Sequence, residues 1–70
     1  MPEMIATPES SNVLEIGYDA ALEELWVVFS KSGTYIYEAV PEFVWEEFKA
    51  AGSKGHFVHQ VLRPGYGFHR

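Results

Sequence analysis

Seventy residues without a cysteine make one small domain that has neither a disulfide framework nor a thiolate metal site to hold it together. Hydrophobic residues make up 47% of the chain, with two tryptophans, four tyrosines and five phenylalanines, which is enough for a packed core and excludes a disordered polymer. A net charge of −5 argues against indiscriminate nucleic-acid binding. No apolar run reaches the ~18 residues of a membrane span and no basic stretch follows Met1, so the expectation is a soluble, cytoplasmic domain without membrane contact.

In chain order, residues 1–11 carry two prolines and Ser10-Ser11 with little periodicity, and are expected as a flexible lead-in to a single domain over 12–70. Alternation predicts a first strand over Asn12 to Tyr18, with Leu14, Ile16 and Tyr18 on one face. After the turn at Asp19-Ala20-Ala21, a second strand over Leu22 to Ser30 puts Leu25, Val27 and Phe29 together, with Glu24, Trp26 and Val28 opposite. Gly33 suits a hairpin turn that needs positive φ, and Thr34 to Ala39 makes a third strand.

Pro41 and Glu42 then open a helix, proline at its first position and the carboxylate at the positive end of its dipole. Val44, Phe48 and Ala51 form its inward stripe, flanked by Val40 and Phe43, and Gly52 stops it. Ser53 caps a second short helix with Phe57, Val58, Val61 and Leu62 as apolar positions, which Pro64 is expected to end. Gly65 to Arg70 is read as an irregular or extended tail. The expected fold class is α+β, a three-stranded antiparallel meander followed by two short helices in the order β-β-β-α-α.

Charge is distributed unevenly. All ten carboxylates lie between Glu3 and Glu47, whereas Ala50 to Arg70 has none and carries Lys54, Arg63, Arg70 and three histidines. An acidic body with a basic, aromatic tail suggests either a face for an anionic partner or a tail packed on the chain's own acidic surface. Catalytic patterns are missing: the serines sit in turn or cap contexts, there is no glycine-rich phosphate loop, and Glu46-Glu47 fits a solvated helix face. His56 and His59 share a helix face at i, i+3 and His69 lies in the tail, but no cysteine or nearby carboxylate completes a zinc set, so neither metal nor cofactor is expected. His56, His59 and Arg63 form a polar stripe, read either as an anion-contacting surface or as an ordinary solvated face. Tyr35 and Tyr37 share a strand face, where they either stack on bases or pack beneath a helix. Trp26 and Trp45 fall off the inward stripes of their elements.

Taken together, Gly-Thr-Tyr-Ile-Tyr at Gly33 to Tyr37, Val40-Pro41, Ser53-Lys54-Gly55 and Arg63 with Tyr66 resemble the KTSC domain. That family takes its name from the C-terminus of some lysyl-tRNA synthetases and also occurs as small stand-alone bacterial and phage proteins. The likeness runs from about Ser10 to Phe68. It implies a small domain of uncharacterised function, with RNA binding suggested by the synthetase context.

The reading that follows is a non-catalytic module for RNA or tRNA, not an enzyme. Lys54, His56, Arg63 and Arg70 would meet phosphates, and Tyr66 and Phe68, with Tyr35 or Tyr37, would stack on bases. Two alternatives stand beside it: a protein-interaction or homo-oligomerisation module, favoured by the tryptophans and a thin core, and a binder of a small anionic ligand such as a nucleotide.

Overall fold

The computed structural model describes residues 1–70. The meander forms as its alternation dictates: β2 (Val13–Asp19), β3 (Glu24–Phe29) and β4 (Gly33–Tyr37) pair antiparallel. Asp19 Oδ1 accepts from the backbone N–H groups of Ala21 and Leu22 at 3.1 and 3.2 Å, closing the first turn. Gly33, with φ of +86°, turns the second hairpin, a conformation other residues adopt only under strain.

The sheet has five strands, not three. β1 (Met4–Ala6) adds to one edge, with Ile5 opposite Ile16, and β5 (Phe68–His69) adds to the other, with His69 opposite Ile36 and Phe68 opposite Tyr37. The segment expected as a flexible lead-in therefore contains a strand, and just beyond it the Thr7 hydroxyl, buried, donates to the Val13 carbonyl at 2.6 Å. Two- and three-residue strands are too short to display a period of two. What recruits them is the row of open N–H and C=O groups at each edge of the meander.

A register shift between Val13 and Glu15 corrects the expected face assignment in β2. The extra residue of this bulge turns both Val13 and Ile16 inward and leaves Leu14 48% exposed, where strict alternation groups Leu14 with Ile16.

α1 (Glu42–Ala50) lies on the inner sheet face. Pro41 is its N-cap rather than its first helical residue. Val44, Trp45 and Phe48 are its buried side chains, while Phe43, expected beside the stripe, is 65% exposed. Trp45 joins the main core by stacking on Tyr18, ring centroids 5.7 Å apart. The second helical run is continuous: α2 (Lys54–Phe57), a π-helical turn (Val58–Leu62) and α3 (Arg63–Gly65). It passes through Pro64 instead of ending before it. The π turn, in which Arg63 N–H reaches back to Val58 O, relaxes the i−4 register where the proline ring meets the preceding turn.

The core is one cluster: Val13, Ile16, Leu25, Val27 and Tyr37 from the sheet, Val40, then Val44, Trp45, Phe48, Val58 and Leu62 from the helices. The opposite sheet face, with Trp26, Val28 and Ile36 half-buried, has no helix over it. No helix is long and apolar enough to cross a membrane.

A cationic aromatic cleft as candidate binding site

Where the second helical run leans over the β3–β4 end of the sheet, it leaves a cleft of about 540 Å³. Its aromatic side is built by strand periodicity. Tyr35 and Tyr37, two residues apart on β4, point to the same face, and β5 lays Phe68 beside them. Phe68 stacks on Tyr35 at 4.9 Å between centroids and tilts against Tyr37 at 5.7 Å; Phe29 meets Tyr35 edge-on at 5.2 Å. Tyr37 is 1% exposed and belongs to the core, Tyr35 is half-buried, and Phe68 is 50% exposed. Phe68 is thus the most exposed of the aromatic rings that line the cleft.

The polar side comes from two elements. His59 projects from the π turn and Arg63 follows it at i+4; both line the cleft and both are exposed. Ser30, Lys31 and Ser32 of the hairpin turn line it from the other side. Asn12 and Gly55 are also in its lining. Arg70 crosses the rim: its Nη2 donates to the Ser32 carbonyl at 2.5 Å and its guanidinium lies 4.9 Å from the Tyr35 ring centre. None of the ten carboxylates lines this cleft.

Electrostatics follow from that geometry. Burial raises the Tyr37 hydroxyl above its ordinary pKa; the Arg63 charge opposes this and Tyr35 adds to it. Tyr18, on the far side of the core, is also raised, by burial first and then by Glu23, Glu42 and Asp19; its hydroxyl donates to Val40 O at 2.6 Å.

The residues singled out from sequence divide. Arg63, Phe68, Tyr35 and Tyr37 line the cleft and Arg70 borders it. Lys54 is elsewhere and is not a free cation: it is 7% exposed, and its Nζ donates to Ala51 O at 2.7 Å and Lys49 O at 3.2 Å. Those carbonyls, at and just past the end of α1, lack helical partners and carry the negative end of the dipole, so they claim the ammonium. His56 is exposed at the start of α2, where its backbone N–H donates to the Ser53 cap; it borders a separate polar recess that also includes Glu9. Tyr66 is half-buried against the core. His69 pairs through Nδ1 with Glu38 Oε2 at 2.5 Å.

Lys31 is a cleft residue that the basic C-terminal third does not include, whereas His59 belongs to the stripe of His56, His59 and Arg63, of which the structure brings His59 and Arg63 to the cleft. Lys31 is recognisable only once the hairpin is seen to end opposite the second helical run.

A small α+β domain with a five-stranded antiparallel sheet, helices on one face and a cleft at one end is the class this architecture defines. A sequence model of the KTSC domain matches residues 9–66, and the chain belongs to that family. A crystal structure of a KTSC domain protein from Yersinia pestis superposes with a TM-score of 0.94 at 33% identity, over 100% of this chain and 97% of the other. A protein from Tsukamurella paurometabola is 38% identical over 58 residues, 83% of this chain and 87% of the relative. An uncharacterised protein from Stutzerimonas stutzeri is 39% identical over 56 residues, 80% and 79% of the two chains. The names of these relatives state no activity.

Proposed function

We propose that this KTSC domain is a non-catalytic cytoplasmic module that binds single-stranded RNA, the loops and ends of tRNA included, in the cleft. One observation carries the reading. In a chain of net charge −5, the cleft gathers Lys31, His59 and Arg63 around an exposed Phe68 and excludes every carboxylate. Cations for phosphates beside a ring for bases is the pairing that single-stranded nucleic acid recognition uses.

The test is fluorescence anisotropy of a short labelled RNA with the intact chain, at low and moderate salt. Affinity is expected to fall as salt rises, with a slope of about −0.7 per phosphate contacted. Phe68→Ala is expected to cost about 1–3 kcal/mol of binding. Lys31→Ala combined with Arg63→Ala is expected to flatten the salt dependence while Lys54→Met leaves it unchanged. RNA that fails to bind at low salt, or binds the double variant equally well, removes the cleft from the argument.

A second reading rests on the uncovered sheet face. Half-buried Trp26, Val28 and Ile36 on that face suit contact with a protein or a second copy of the chain. Sedimentation across a concentration series tests self-association, and a monomer throughout eliminates that form of it.

A further inference from the structure

We infer that the ligand seated in the cleft is a single nucleotide bearing a terminal phosphate monoester, either free or at the end of a chain, its phosphate held by Arg63, His59 and Lys31 and its base against Phe68. The inference rests on the binding role proposed above but not on the ligand being a polymer.

Size comes first. A cleft of about 540 Å³ falls within the ~300–1,000 Å³ of small-molecule sites and accommodates one nucleotide. The aromatic side has one ring that is mostly open: Tyr37 is buried, Phe29 and Tyr35 are half-buried and packed edge-on against each other, and Phe68, stacked on Tyr35 by one face, is 50% exposed. Successive bases of a bound strand need successive platforms; one platform suits one base.

Charge points the same way. A phosphodiester brings one negative charge, whereas a phosphate monoester carries about −1.5 to −2 at neutral pH. Two side chains of the wall, Lys31 and Arg63, are cations, His59 adds a ring nitrogen, and no lining carboxylate opposes the second charge. The Arg63 guanidinium can grip two phosphate oxygens at once.

The helix places the two residues together. The π turn over Val58–Leu62 keeps Val58 and Leu62 in the core, at 3% and 0% exposure, while His59 and then Arg63 face the cleft.

The experiment is calorimetric titration of the full chain with adenosine 5′-monophosphate, its methyl phosphodiester, adenosine, inorganic phosphate, and short RNAs with phosphorylated or hydroxyl ends. The monophosphate or the phosphorylated RNA is expected to bind at least about tenfold more tightly than its diester or hydroxyl counterpart. Arg63→Gln and His59→Gln are expected to erase that preference. Both residues are exposed, and circular dichroism verifies that the variants fold. Equal affinity for phosphorylated and hydroxyl-ended RNA overturns the inference and leaves RNA binding standing. Binding of the free monophosphate without either RNA upholds the inference and ends the RNA reading. Inorganic phosphate binding as tightly as the nucleotide removes the base contact and overturns it, as does the absence of binding by every phosphorylated probe.

Discussion

The two ends of the second helical run carry cations of opposite fate. At its start, Lys54 is sunk to 7% exposure with its ammonium on the carbonyls that finish α1; at its end, Arg63 stays in solvent and lines the cleft. The difference lies in what each meets. Lys54 follows a helix terminus whose carbonyls have no other partner, whereas the Arg63 side chain, on the solvent side of a run whose Leu62 is fully buried, is exposed on the cleft wall. A positive charge near a functional cleft is therefore not evidence of function until its local acceptors have been counted.

The strongest perturbation of the Arg63 end comes from the core beneath it. Leu62, fully buried at the end of the π turn, is one residue from Arg63 yet belongs to the core. Leu62→Ala is expected to cost about 2–5 kcal/mol, read as a lowered midpoint in urea. In a protein this small that loss endangers folding itself. A loss well below 1 kcal/mol would mean that the π turn is not anchored by packing.

The next largest effect separates the two cations. Lys54→Met keeps the aliphatic stem and removes the charge, leaving two carbonyl groups without their ammonium. A cost of about 1.5–3 kcal/mol is expected, the range for a hydrogen bond to a charged group. Arg63→Gln is expected to change stability by less than about 0.5 kcal/mol, as ordinary surface substitutions do. Thermal denaturation of both variants decides it, since 1 kcal/mol moves the midpoint by about 4–8 °C at this size. Equal effects would dissolve the distinction.

The same contrast explains what was legible before the structure. The meander was readable because Leu25, Val27 and Phe29 alternate and Gly33 punctuates; α1 was readable from Val44 and Phe48. β1 and β5 were not, because strands of two or three residues owe their pairing to the sheet edge rather than to their own pattern. The bulge at Val13 and Glu15 is invisible to a count of period two. Much of the cleft was visible in Tyr35 and Tyr37 as an aromatic pair, in Phe68 of the tail, and in His59 and Arg63 of one polar stripe. The rest depended on the hairpin turn carrying Lys31 coming opposite His59, a relation between residues far apart in the chain. Lys54 misled because sequence reveals charge without revealing which carbonyls lie within reach.

The smallest effect reports on the cleft's own phenol. Because burial raises the Tyr37 pKa in the fold, the folded chain keeps a proton that the unfolded chain releases above about pH 10. The folded state then binds more protons than the unfolded one, so stability must fall as pH rises beyond that point, while at lower pH the contribution is fully present. Tyr18, raised by burial and three nearby carboxylates, adds to the same alkaline loss. Tyr37→Phe is therefore expected to shallow the decline in stability above about pH 10 without abolishing it, measured as urea midpoints across the alkaline range. An unchanged slope would mean that the Tyr37 hydroxyl ionises as freely in the fold as outside it. A phenol that does so is solvated, and the cleft would then be wetter at its foot than the 1% exposure of Tyr37 implies.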